Sequence, residues 1–239
     1  TLVKKGTRLH AEHLMLLSSQ GKNTVNVIRK LRVGVVATGS ELAAPGSARA
    51  DTQIYESNRV GVSSILQNEN IELIDFGIVE DDEISLRKLF TDASSRVDVM
   101  VSSGGVSVGD ADYVKDIIAE LGAIDFWKIA VKPGKPFALG KINNTLFCGL
   151  PGNPVSSFVT AKLLVVPIIK KMQGQLDAYT PFSVSATITT TLNRRAGRRD
   201  FHWGPAREPW YANCQGVAGC GVQNAGTKHD PAGGGPDTG

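Results

Sequence analysis

Residues 99–121 read VMVSSGGVSVGDADYVKDIIAEL: a strand-like run, a glycine-rich loop and an amphipathic run in immediate succession. Gly104, Gly105 and Gly109 let the backbone turn through positive φ and bring its N–H groups close to an anion. The start of the following helix adds partial positive charge, and Ser102, Ser103 and Ser107 add hydroxyl donors. The chemistry predicted is capture of a phosphate or another oxyanion. Asp110 is placed to cap the helix, which leaves Asp112, one step inside, without a local duty. A carboxylate beside an anion cradle repels the anion unless a cation lies between them, as in phosphate-bound Mg²⁺ sites. Mg²⁺ is therefore the implied cofactor. The competing reading is a tight turn with nothing bound.

Three further groups could contribute. Lys132-Pro133-Gly134-Lys135-Pro136 fixes two lysines on a stiff turn just after Trp127-Lys128, an arrangement suited to an oxyanion. In Leu150-Pro151-Gly152-Asn153-Pro154-Val155-Ser156, Asn153 can cap a helix and Pro154 can occupy its first position, leaving outward N–H groups at Val155 and Ser156. Thr38-Gly39-Ser40-Glu41 and Glu80-Asp81-Asp82 each follow an apolar run; Asp81 or Asp82 must cap the next helix, and the remaining acids form a second candidate cation site. Gly105-Val106-Ser107-Val108-Gly109 also matches the nucleophile elbow of hydrolases, with Asp177 and His202 as conceivable partners. That alternative fits poorly, because the loop runs on through further Gly and Asp.

The elements that must carry these groups alternate. Residues 31–38, 71–79 and 97–103 are apolar strand runs, and 57–70, 81–94 and 111–122 are helical. Such alternation predicts an α/β fold with a mostly parallel sheet covered on both faces. In the helix at 111–122, Val114, Ile117, Ile118 and Leu121 recur at helical spacing and mark its core face. Runs at 124–131, 136–142 and 145–150 predict strands joined by tight turns, and a last helix follows from Pro154. Because both the 104–109 loop and the 151–153 turn follow strands, they should share one edge of the sheet, where open α/β folds bind ligands. Before this unit, residues 10–19 read as a helix and 23–28 as a strand closing a preceding domain (1–30). After the α/β domain (31–174), residues 175–202 hold a linker and the start of a C-terminal β domain, with an alternating strand at 182–192. Residues 203–239 are glycine-rich, lack Ile, Leu, Phe and Met, and are expected to be disordered.

The chain has 239 residues, 41% hydrophobic and 21% charged, which suits a globular protein with a sizeable core. No apolar run approaches ~18 residues, so no membrane partner is expected. The basic and acidic residues are interspersed, with a net charge of +3, so no nucleic-acid partner is expected either. Three cysteines without metal-ligand spacing predict neither a disulfide framework nor a zinc site, and point to a cytoplasmic setting. The chain opens on Thr1 with no signal-peptide pattern, and a missing N-terminal portion is the expectation.

TGSEL, SNR, GGVSVGDADY, KPGKP and LPGNPVS, in this order and spacing, resemble the molybdopterin molybdenumtransferases, the MoeA-type enzymes related to the gephyrin E domain. The resemblance covers residues 1 to about 202 and identifies the chain as a fragment of such an enzyme. It implies a three-layer α/β sandwich followed by a C-terminal β-barrel, assembled as a homodimer. It also implies Mg²⁺-dependent insertion of molybdate into adenylated molybdopterin, with release of AMP. By motif, Asp112 and Asp81 would serve Mg²⁺ and the adenylated substrate, with Glu41 as a further acid. Lys128, Lys132 and Lys135 would position anionic groups, and Pro151, Pro154 and Arg198 would line the molybdate side. The loop carrying Ser103, Gly104, Gly105, Ser107 and Gly109 would hold the pterin phosphate. The alternatives are a molybdopterin adenylyltransferase, which shares the glycine loop and its aspartate, and a non-catalytic molybdopterin-binding scaffold. The match departs near the end: Gly197 to Phe201 keep half of the family's segment, but Trp203 stands where an arginine is expected.

Overall fold

The computed structural model describes residues 1–106, 113–126, 128–175 and 199–201. In chain order the elements are helix α1 (Ala11–Ser19), strand β1 (Arg32–Thr38), short strands β2 (Leu42–Ala43) and β3 (Ile54–Tyr55), and helix α2 (Asn58–Gln67). Strand β4 (Glu72–Val79), helix α3 (Glu83–Arg96), strand β5 (Val99–Ser103) and helix α4 (Tyr113–Leu121) follow. Then come β6 (Gly122–Phe126), β7 (Val131–Lys132), β8 (Ala138–Ile142), β9 (Thr145–Leu150) and α5 (Pro154–Thr160). A π-helical turn (Ala161–Val165) leads into α6 (Val166–Met172), and β10 (Arg199–Asp200) pairs with β7.

The central sheet has the order β4-β1-β5-β9-β8-β6. Its first four strands are parallel, and β8 and β6 are antiparallel additions, so the expected mostly parallel sheet is found. The reversal from β8 to β9 uses Asn143 at φ 52, a left-handed conformation that asparagine tolerates.

Side chains of a strand alternate between faces, and here both faces are apolar. Val33, Val35, Val99 and Val101 pack on one face with Leu66 of α2 and Val165 and Ile169 of the last helix. Val36, Met100 and Phe147 pack on the other with Leu86 and Phe90 of α3 and Ile117 and Ile118 of α4. Each such side chain, fully withdrawn from water, contributes roughly 1.5–3 kcal/mol. Two cores on one sheet make the three-layer sandwich, and the helical spacing of Val114, Ile117 and Ile118 is what turns α4 inward. The π-helical turn precedes Pro167, which lacks an N–H and would crowd the carbonyl four residues back; the wider turn absorbs it.

The β1–β4 ladder contains an irregularity. Val35 pairs with Asp75 and Ala37 with Ile78, so β4 carries one residue more than β1 across this interval. Gly77 takes φ 76 there, its N–H donates to Asp75 Oδ1 at 2.8 Å, and the Phe76 ring packs over Gly34.

At the amino end of the sheet, Asp98 accepts two hydrogen bonds from the Arg29 guanidinium, both 2.7 Å, and one from the Arg32 N–H at 2.8 Å. The hydrogen bond from the Arg29 side chain, aided by Arg32, holds the Asp98 carboxyl well below the usual range. A depressed carboxyl stabilises the fold fully above the unfolded value near ~3.9, and that contribution is lost as pH falls through the folded value. Asp98→Asn is therefore expected to lower stability by about 1–3 kcal/mol at neutral pH. In urea titrations the difference from the parent should shrink in strong acid; a difference independent of pH would contradict this account.

One expectation is corrected. Residues 23–28 form no strand, although their pattern alternates. Val25 and Val27 are 48% and 68% exposed, and an alternating run without a neighbouring strand has no ladder to join. Helix α1 forms as expected but buries none of its residues. The strand anticipated at 182–192 and the segment 203–239 lie outside the described residues. Among those described, no helix is long and apolar enough to cross a membrane.

Candidate functional site

The four parallel strands end level with one another. Thr38 of β1 pairs with Val79 of β4, Ala37 with Ser103 of β5, and Ser103 with Leu150 of β9. Their turns therefore open on one edge, across about 15 Å at the ordinary strand spacing. The glycine loop, the acidic turns and the 151–153 turn share this edge, as their positions after strands predicted.

The glycine loop is seated directly on the end of β1. Gly104 has φ 96, and its N–H donates to the Leu150 carbonyl at 3.2 Å. A Cβ at Gly104 would stand 2.3 Å from the Thr38 carbonyl oxygen. At Gly105, with φ 68, it would meet Val114 at 2.6 Å and the Thr38 hydroxyl at 2.9 Å. Both glycines are thus required by close approach as well as by backbone conformation. Ser103 is buried beneath the loop, and the Thr38 hydroxyl, also buried, has no hydrogen-bond partner among the described residues. Ser107, Gly109, Asp110 and Asp112 lie outside the described residues, as do Arg198 and the Asp177 and His202 of the hydrolase alternative.

The acidic turns divide their labour. Asp82 caps α3, accepting from the N–H groups of Ile84 and Ser85, both at 3.0 Å. The bonds from Ser85, with a smaller one from Ile84, hold its carboxyl below the usual range. Asp81 has no capping role. Partial burial, then the charges of Glu41 and Asp82, push its carboxyl up. The Glu41 carboxylate folds back over Gly39, where an added Cβ would lie 2.7 Å from Glu41 Oε2. A carboxylate whose ionised form burial and a neighbouring carboxylate disfavour is a candidate ligand for a hard cation. Among the described residues no group of three or more His, Cys, Asp or Glu is arranged to hold a metal ion. Glu41 and Asp81 suit the manner in which Mg²⁺ is commonly held, by one or two carboxylates plus substrate oxygens.

The lysine turn belongs to the same assembly. Gly134, at φ 116, brings it so close to α5 that a Cβ would lie 2.6 Å from the Thr160 methyl. Ile129 and Phe137 donate backbone N–H groups to the Lys135 carbonyl at 3.0 and 3.1 Å. Phe201 donates to the Lys132 carbonyl at 2.8 Å. The backbone is fixed while the side chains of Lys128, Lys132 and Lys135 remain exposed, as pre-organisation of the turn predicted.

In the 151–153 turn Pro151 is buried, and Asn153 Oδ1 accepts from the Ser156 N–H at 3.1 Å with Pro154 at the first position of α5. Asn153→Ala is expected to destabilise the chain by about 1 kcal/mol, read from the urea midpoint at unchanged slope. Cys148 has no chemical role here: complete burial pushes its thiol up to about 12, which removes it as a nucleophile.

Sequence reasoning missed the beginning of α2. Asn58 lies in the SNR triplet at the start of the predicted helical run, yet its Nδ2 donates to the Gly152 carbonyl at 2.7 Å. Two residues earlier, the buried Glu56 accepts from the Arg59 N–H at 2.5 Å, and the Arg59 guanidinium reaches Asp75. The SNR triplet was visible as a motif, but nothing in it discloses a partner 94 residues away.

Residues 34–171 match the family described as "Probable molybdopterin binding domain". A molybdopterin molybdenumtransferase from Haemophilus influenzae is 45% identical over 90% of this chain and 52% of its own length. The molybdopterin molybdenumtransferase of Nostoc sp. is 33% identical, with 85% and 48% covered. Among solved structures, a molybdopterin biosynthesis MoeA protein from Pyrococcus horikoshii OT3 superposes with a TM-score of 0.67 at 26% identity, covering 83% of this chain and 48% of that one. A second Pyrococcus MoeA structure gives 0.64 at 39% identity, covering 73% and 43%. The chain thus spans about half the length of the curated relatives it matches. The match runs through the sheet that aligns the four turns, and the chain belongs to the family of the probable molybdopterin binding domain.

Proposed function

We propose that the chain is the molybdopterin-binding part of a molybdenumtransferase, which inserts molybdate into adenylated molybdopterin and releases AMP. The observation that carries this is the convergence of the acidic pair Glu41 and Asp81, the Gly104–Gly105 loop and the Pro151 turn on one sheet edge. A cytoplasmic homodimer is part of the same proposal.

In this reading the glycine loop, with Ser103, Ser107 and Gly109, offers N–H and hydroxyl donors to the pterin phosphate. Asp81 and Asp112 would hold Mg²⁺, with Glu41 beside them. Mg²⁺, when bound, supplies positive charge against the substrate phosphates. Lys128, Lys132 and Lys135 bind and orient the anionic groups, and the lysine pair, Pro151, Pro154 and Arg198 face molybdate. Seating of the lysine turn on α5, at Gly134 and Thr160, joins the two molybdate-side elements into one unit and supports a transferase over an adenylyltransferase.

The test is AMP release from adenylated molybdopterin by the purified chain, with Mg²⁺ and molybdate each present or omitted. Release that needs both is the expected result. Binding of the adenylated substrate with no release under any condition would overturn the transferase reading and leave a molybdopterin-binding scaffold.

A further inference from the structure

We infer that Asn58 is a positioning residue for the Pro151–Asn153 turn, acting as a latch between the first crossover helix and the last. This inference rests on the proposed function for its catalytic consequence, but not for its structural content.

Asn58 Nδ2 donates to the Gly152 carbonyl at 2.7 Å, and that carbonyl can only accept. The amide orientation is therefore fixed, because the reverse would place two acceptors together. Asn58 Oδ1 is then left buried without a hydrogen-bond partner among the described residues. An amide held with one end unsatisfied stays in place only if its surroundings fix it. The Glu56 carboxylate accepts from the Arg59 N–H at 2.5 Å, and Arg59 bonds Asp75 on β4. Glu56 thus fixes the first turn of α2 around Asn58, and Arg59 ties that turn to the edge of the sheet.

The turn at the other end of the bond needs such a tether. At the Cα of Gly152 the turn is open: an added Cβ would meet nothing within 4 Å among the described residues. The next residue, Asn153, is committed to capping α5. The bond from Asn58 joins β1's crossover to β9's turn, two strands that β5 separates in the sheet. Pro151 lies between the Leu150 carbonyl, held by the Gly104 N–H, and the Gly152 carbonyl, held by Asn58. Both flanks of the residue placed toward molybdate are thereby pinned, one from the glycine loop and one from α2.

Two variants test the inference: Asn58→Ala removes the donor, and Asn58→Asp keeps the shape while presenting an acceptor to an acceptor. In the chain without ligand, hydrogen exchange at the Ser156 and Ser157 amides should quicken by about fivefold in both variants, with exchange in β1 and β5 unchanged. Unchanged exchange at these amides overturns the inference whatever the activity. In the AMP-release assay, half-saturating molybdate should rise about fivefold while release at saturating molybdate stays within about twofold. A merely structural role would reduce active protein, lowering release at saturation with the molybdate dependence unmoved, and that result overturns the inference. Asn58→Gln restores the donor on a longer arm and should recover part of the molybdate dependence; recovery by Asp instead would also refute the latch. A parent chain that releases no AMP refutes the proposed function, and the exchange measurement then decides the latch alone.

Discussion

Asp81→Asn is expected to lower Mg²⁺-dependent AMP release by about 10²-fold or more while leaving the chain at least as stable as the parent. The two halves of this prediction have one cause. Asp81 lies beside Glu41 and Asp82, and partial burial with those like charges raises the cost of its ionised form. Because Asp82 carries the cap of α3, neutralising Asp81 removes repulsion without removing a structural hydrogen bond. The proposed function gives this costly carboxylate a use, as a ligand for Mg²⁺. Thermal unfolding and AMP release, measured on the same preparation, check both halves. Full activity of Asp81→Asn at the parent's Mg²⁺ concentration would remove Asp81 from the metal site.

Gly104→Ala is expected to cost about 3 kcal/mol of stability, from backbone strain and overpacking together. The residue has φ 96, and the new methyl would stand 2.3 Å from the Thr38 carbonyl oxygen, a backbone atom that no rotamer change can move aside. To relieve the contact the glycine loop would have to lift from the end of β1, so binding of the pterin phosphate should weaken as well. Gly61→Ala is the matched control. Gly61 lies in α2 with nothing within 4 Å of an added Cβ, and its replacement should stabilise the chain by about 0.5–1 kcal/mol. Equal urea midpoints for the two variants would show that the loop is not seated as described.

Much of the architecture is legible in local pattern. The alternation of apolar runs with helical spacing yields the sheet and its two covering layers because β1, β5 and β9 are buried on both faces, the edge strand β4 being only partly covered. The cap at Asn153 and the shared edge of the turns follow from chain order alone. Three features were not legible, each for a physical reason. Residues 23–28 carry a strand's alternation, but pairing is a property of two segments, and no strand lies beside them among the described residues. Whether Asp81 or Asp82 caps α3 depends on where the backbone turns, which the adjacent acids do not disclose. Asn58 could not be recognised because its partner is a backbone carbonyl brought near only by the packing of α2 against α5.

The irregular stretch of β4 bears on how this protein survives at high concentration. Strand β4 is one of the two edge strands of the sheet among the described residues, with its far backbone groups unclaimed by any other strand of that sheet. An unclaimed strand edge is a template on which a second chain can add a strand, the first step toward aggregation. The additional residue in β4, the positive φ of Gly77 and the charge of Asp75 break the straight, flat template that such addition requires. The same segment that anchors Arg59 toward the site therefore also keeps neighbouring molecules apart.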